Sequence, residues 1–190
     1  MNANQNKTIY DLLHRRSYRT FTPDALKQEE LQTILDCGVF APSAMNQQPW
    51  HFTVVRDKQL MDDMVAAMAD IMKQSGDARS IERASSPDFH SFHHAPCVIL
   101  VSGAESAIAR ASDCGGATTC MAVAAQALGI GSVIVASILP IFQGKRAGEF
   151  MERLQVPAGY IPTLTLALGY PGCAEPDAPA RKESVITYID

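Results

Sequence analysis

Arg15-Arg16-Ser17-Tyr18-Arg19 places three guanidinium groups and a hydroxyl within one short stretch, at the exit of a helical segment. Guanidinium is a planar fork of donors that matches phosphate oxygens, and serine adds a neutral donor. Each charge-assisted hydrogen bond contributes about 1.5–3 kcal/mol, so two or three together can hold a phosphate monoester. The same residues also suit a solvated basic helix end, which the helix dipole favours.

The second chemical stretch is Ala41-Pro42-Ser43-Ala44-Met45-Asn46-Gln47-Gln48-Pro49-Trp50. Pro42, Ser43, Asn46 and Pro49 are turn formers, so a tight connection accounts for their presence. Asn46 and Gln48 add amides that can donate to a ring carbonyl and accept from a ring N–H, reading the edge of a planar heterocycle. Trp50 reads as core. Arg181-Lys182 is a further positive pair beyond an acidic, proline-rich loop, and alone it reads as a solvated tail.

Other chemistries find less support. Asp88-Phe89-His90-Ser91-Phe92-His93-His94 has histidines, but no cysteine or carboxylate spacing completes a tetrahedral metal site. Ser17, Ser43 and Ser137 lack the G-x-S-x-G elbow of a serine hydrolase. No G-x-G-x-x-G follows a strand, so a Rossmann fingerprint is absent. Asp113 reads as the N-cap of a central helix rather than as a base.

These residues must be positioned by an alternation of helices and strands. Apolar spacing predicts helices over about 8–16, 27–40, 58–73, 114–128 and 144–154. Strands are expected over 50–55, 97–101, 133–135 and 163–168, with 74–95 polar and irregular. This order suits one domain over residues 1–190, of α/β type. The central helix has apolar and small residues nearly all round (Ala117, Cys120, Met121, Ala124, Ala125, Leu128), so burial on every side is expected. The final piece, Ser184–Ile189, is apolar and β-prone and needs a sheet edge, its own or a second subunit's.

The 190 residues, 47% hydrophobic and 19% charged, are ordinary for a soluble domain large enough to bury a core. A formal net charge of −4 argues against nucleic acid, so any anion site needs a local positive cluster. The five cysteines form no CxxC pair and no secretory signal opens the chain, which suggests reduced thiols and a cytoplasmic setting. No charge falls between Asp113 and Lys145, but glycine, serine and proline divide that stretch into a helix and a strand rather than a membrane span.

RRSYRTF, APSAMNQQPWHF, DCGGATTCMAVAAQALGIGS, LALGYP and ARKES follow one another in an order that resembles the FMN-dependent nitroreductase family. The resemblance implies an α+β fold, a mixed central sheet surrounded by helices, in an intertwined homodimer with FMN in sites at the subunit interface. It implies that Arg15 and Ser17 hold the phosphate and ribityl end with Arg16 nearby, and that Arg19 stands beside the flavin N1/O2 edge. Pro42, Ser43, Ala44, Asn46 and Gln48 would line the flavin from the other subunit, and Arg181 with Lys182 would complete the phosphate clamp. Ala136-Ser137 stand where the family has a glycine-containing pair facing N5. Residues 173–190 would form an arm onto the partner, and 74–94 a variable lid with Phe89 or Phe92 touching substrate.

The chemistry so implied passes hydride from NADH or NADPH through flavin N5 to a nitroaromatic, quinone or similar flat small-molecule acceptor, in ping-pong order. Flavin carries that chemistry and the protein supplies position and electrostatics, so no catalytic acid is required of the chain. Alternatives on the same scaffold are enone reduction, reductive dehalogenation, or flavin binding and storage without turnover. A dimeric interaction domain without cofactor is a further reading, against which Arg15, Ser17, Arg19, Asn46 and Arg181 argue.

Overall fold

The computed structural model describes residues 6–190; the opening residues of the polar N-terminal stretch lie outside it. Four strands, β1 (Trp50–Val55), β2 (Cys97–Ala104), β3 (Gly131–Val135) and β4 (Tyr160–Gly169), form a sheet in the order β1-β2-β4-β3. All three pairings are antiparallel, and a parallel bridge between Ser17 and Ser132 makes the sheet mixed. Six helices surround it: α1 (Lys7–His14), α2 (Gln28–Val39), α3 (Lys58–Lys73), α4 (Ala78–Ser85), α5 (Arg110–Ala127) and α6 (Ala147–Arg153).

Successive strand residues point to opposite faces, and both faces are covered. Val98, Leu100, Val133, Val135 and Ala167 pack with Met64 and Met68 of α3, Phe150 of α6 and Phe92. On the other face Ile99, Val101, Leu166 and Leu168 pack with Leu31 and Ile34 of α2 and with Met121 and Ala125 of α5. Double coverage is why the first five residues of β2, 97–101, are an unbroken apolar run rather than an alternating one.

Helix α5 stops at a glycine. Gly129 has φ +72°, and the Ile130 N–H donates to the Ala125 carbonyl while the Gly129 N–H donates to Gln126. This closes a Schellman motif, which turns the chain directly into β3.

Several expectations are corrected. The stretch 74–95 contains α4, capped by Asp77, whose carboxylate accepts from the Ser80 N–H at 2.8 Å. Asp113 is not an N-cap: α5 begins three residues earlier at Arg110, because Arg110, Ala111 and Ser112 join the first turn. The burial expected on every side of α5, with a dimer interface supplying part of it, is not among these corrections: one chain covers one side, sealing Ala117, Met121 and Ala125, with Cys120 and Ala124 half-buried and Leu128 exposed. Strands β2 and β4 run longer than their apolar cores. The segment 184–189 joins no strand of its own chain and is exposed.

Phe92 is wholly buried between α3 and the sheet, so it is a core residue and does not meet substrate. Replacing it with alanine is expected to destabilise the fold by about 3–5 kcal/mol. Urea unfolding should show a lower midpoint at unchanged slope. Wild-type stability in that variant would place the ring outside the core.

Candidate functional site

Helix α1 ends at His14, and the arginines follow immediately. The Arg16 Nη1 donates to the carbonyls of Leu13 and Arg15 at 2.8 and 3.0 Å, capping the helix, and its buried Nε has no partner. Arg15 is half-buried, with one 3.3 Å bond to the Arg16 carbonyl, and exposed Arg19 reaches only the Ser17 carbonyl, at 3.4 Å. Among the described residues, none of the three arginines is paired with a carboxylate, whereas Arg146 and Arg153 are. Their charge is available to an external anion.

The strip 17–22 is laced between two strand ends. The Tyr18 N–H donates to Ser132 at 3.0 Å, Thr22 to Tyr170 at 2.9 Å, and Gly172 back to Thr20 at 2.9 Å. A Cβ at Gly131 would meet the Tyr18 side chain at 3.1 Å, so glycine there lets the strip lie close. Buried Tyr18 anchors it and turns Ser17 and Arg19 outward. Burial, then the charges of Glu175 and Cys173, push the Tyr18 phenol up, which marks the start of the C-terminal tail passing beside it.

Ala136 and Ser137 follow β3 at its far end, both exposed, with the Leu139 N–H on the Ala136 carbonyl at 3.1 Å. Strand geometry puts Ala136 about 13 Å from Ser132 and its neighbour Ser17 along one sheet edge. The fold therefore brings the basic strip and the 136–137 turn to opposite ends of β3.

The 42–48 turn is built separately, between α2 and β1. Met45, Asn46 and Gln48 have φ of 52°, 53° and 46°, left-handed values for residues other than glycine. Bonds from every side hold them. Ser43 Oγ accepts from the Gln48 N–H at 2.9 Å, Gln48 Nε2 donates to Asn46 Oδ1 at 2.9 Å, and Gln47 Oε1 accepts from Ile108 at 3.1 Å. The Ala44 N–H donates to the buried Asp113 carboxylate, 3.2 and 3.3 Å from its two oxygens. Asn46 and Gln48 stand exposed, and so does Pro42, while Ser43 and Ala44 are half-buried.

No hydrogen bond within one chain joins the basic strip to this turn, or either of them to exposed Arg181 and Lys182, among the described residues. Two contributors were missed by reading the sequence. Asp113 looked like a helix start, yet braces the turn. His93 lies close enough to Arg19 for that charge, after burial and before Arg83, to hold its imidazole below the ordinary range. No group of histidine, cysteine, aspartate and glutamate able to hold a metal occurs among the described residues. There too, no helix is long and apolar enough to cross a membrane.

The sandwich, with its basic strip on one sheet edge and a braced amide turn elsewhere, matches a known class. The nitroreductase family model matches residues 12–170, and the chain belongs to this family. It is similar to a protein of Archaeoglobus fulgidus named as an NADH dehydrogenase/NAD(P)H nitroreductase, 30% identical over 165 residues that span 87% of this chain and 84% of that one. A nitroreductase structure with bound FMN from Desulfitobacterium hafniense DCB-2 superposes with TM-score 0.90 at 32% identity, covering 97% of this chain and 99% of that one. One with bound FMN from Bacteroides fragilis NCTC 9343 gives 0.89 at 26%, covering 97% and 100%.

Proposed function

We propose that the chain is an FMN-dependent oxidoreductase that works as a homodimer, taking electrons from NADH or NADPH and delivering them to a flat small-molecule acceptor. The observation that carries this reading is the set of carboxylate-free arginines at 15, 16 and 19, held beside the sheet edge in a family with solved members that carry bound FMN. Bound FMN supplies two-electron transfer from the nicotinamide to a nitroaromatic, quinone or similar acceptor, in ping-pong order.

The chain's own residues then bind and tune. Arg15 and Ser17 hold the phosphate end, with Arg16 beside them. The buried, unpartnered Arg16 Nε fits an acceptor supplied from outside the chain. Arg19 sets positive charge at the N1/O2 edge and so favours the reduced form. Ala136 and Ser137 close the other end of β3. Pro42, Ser43, Ala44, Asn46 and Gln48 act on the partner's site, and Arg181 with Lys182 completes the clamp through the 173–190 arm.

A second copy answers what one chain leaves open. Phe40 is 88% exposed, Met45 85% and Ile189 95%, and the half-open side of α5 lies beside Leu12 and Phe40. Apolar surface of this extent marks an interaction face.

The deciding experiment is anaerobic: protein reconstituted with FMN should sediment as a dimer and bleach with NADH or NADPH. Recovery of colour on adding a quinone or nitroaromatic completes the cycle. Colour without bleaching would favour flavin storage, and failure to take up FMN would end the reading. Arg19→Ala is expected to lower the flavin midpoint potential by about 30 mV, equivalent to about 1.4 kcal/mol for a two-electron couple. Dye equilibration measures it, and an unchanged potential removes Arg19 from the N1 edge.

A further inference from the structure

We propose that His90 is a positioning residue: held neutral with its proton on Nε2, it ties down the 90–94 turn, which lies within range of the Arg19 charge, and its protonation releases that turn. The proposal rests on the reading of Arg19 as the flavin-edge cation.

The tautomer follows from the hydrogen bonds. His90 Nδ1 faces two backbone donors, the N–H of Phe92 at 3.2 Å and of His94 at 3.1 Å. A ring nitrogen receiving two N–H groups carries no proton, so the proton sits on Nε2 and donates to Asp62 Oδ1 at 3.4 Å. The turn needs this clamp. His93 and His94 have φ of 54° and 56°, left-handed values that persist only where surrounding bonds enforce them. The other ties are the His93 N–H to the His90 carbonyl and the Ala95 N–H to Phe92, both 3.0 Å, with Phe92 sealed in the core. His93 stands on the side where the charge of Arg19 reaches it.

A proton on Nδ1 would set a donor against two donors, and the ring would have to leave. A cavity of about 330 Å³ opens beside it, with His94, Asp62, Lys58 and Arg56 on its walls, and gives it somewhere to go. The charged and titratable groups around His90 are Asp62 and Lys58 from α3, Arg56 after β1, Arg83 from α4, Cys97 from β2, and Asp88, His93 and His94 from its own segment. Burial first and then His94 push the imidazole down, Asp62 pulls it up, and the net direction is down. For a base depressed by folding, stability is fully present above the ordinary value of about 6.5 and is lost as pH falls below it. The acid side is therefore where the turn is released.

The test compares FMN affinity of the purified protein at about pH 7.5 and about pH 5.0, where wild type should weaken about tenfold, less than the roughly thirtyfold that an imidazole at the ordinary value of about 6.5 would give. His90→Asn puts an amide oxygen where Nδ1 sits and cannot titrate, so its acid step should be several-fold smaller than that of wild type, the remainder being protonation of the FMN phosphate, whose second ionisation lies near about pH 6. His90→Gln reaches the Nε2 position instead, leaves both backbone donors unpaired, and should bind weakly at both pH values. A merely space-filling His90 would not separate asparagine from glutamine. Imidazole ¹⁵N spectra of the purified protein read the tautomer without any flavin, and Nε2–H is expected, still neutral at about pH 6.5. An Nδ1–H tautomer, or an undiminished acid step in His90→Asn, overturns the proposal. A wild type that takes up no FMN at either pH defeats the flavin reading instead, and the imidazole spectra then decide His90 alone.

Discussion

Asp113→Ala is expected to weaken FMN binding about thirtyfold, although the residue is placed against a turn rather than against the cofactor. Its carboxylate is 7% exposed and sits in the first turn of α5, where the helix dipole favours negative charge. From there it receives the Ala44 N–H on both oxygens. A charge-assisted bond of this kind contributes about 2 kcal/mol, and each 1.4 kcal/mol is about tenfold in an equilibrium. The turn it braces holds three residues at left-handed φ, so loss of the brace frees Asn46 and Gln48 from one presented geometry. Asp113→Asn keeps an acceptor without the charge and should lose only about fivefold, in line with a neutral bond of about 1 kcal/mol. Fluorescence titration with FMN, run beside urea unfolding, separates this loss from global destabilisation. Wild-type affinity in both variants would mean that the turn holds itself.

How much of this was readable from residues alone follows from what each residue had to touch. Strand β2 was plain because both its faces are covered, so Val98 to Val101 had to be apolar without interruption. Helix α4 was not, since Ile81 and Ala84 are its only apolar residues away from solvent and, exposed Ala78 apart, the rest of ARSIERAS is polar. Asp113 misled for a related reason: a carboxylate just ahead of an apolar run suits a cap, and its true partner, Ala44, lies 69 positions away. The basic strip was legible because guanidiniums cluster locally, while His93 reaches Arg19 only through the fold of the 90–94 turn. Within the single chain α5 is covered on one side only. Small residues at Ala124 and Cys120 signal close packing without saying against what.

Arg15→Ala should cost FMN about a hundredfold in affinity and leave riboflavin binding nearly untouched. The reasoning is in the chemistry of the two ligands, which share the ring and ribityl chain and differ by the phosphate. A guanidinium that makes two bonds to that group contributes about 3 kcal/mol, at about 1.5 kcal/mol each, and so about a hundredfold. Half-burial of Arg15 limits screening, so the preference for FMN should survive moderate salt better than an exposed contact would. Arg15→Lys restores the charge without the planar fork and should recover only part of the loss. Parallel titrations with FMN and riboflavin measure the effect as a ratio, which cancels any general loosening of the fold. Equal losses on both ligands would move Arg15 away from the phosphate and make it a structural support of the α1 exit. A loss confined to FMN would tie the sheet edge at Ser17 to the phosphate, leaving the far end of β3 for the ring.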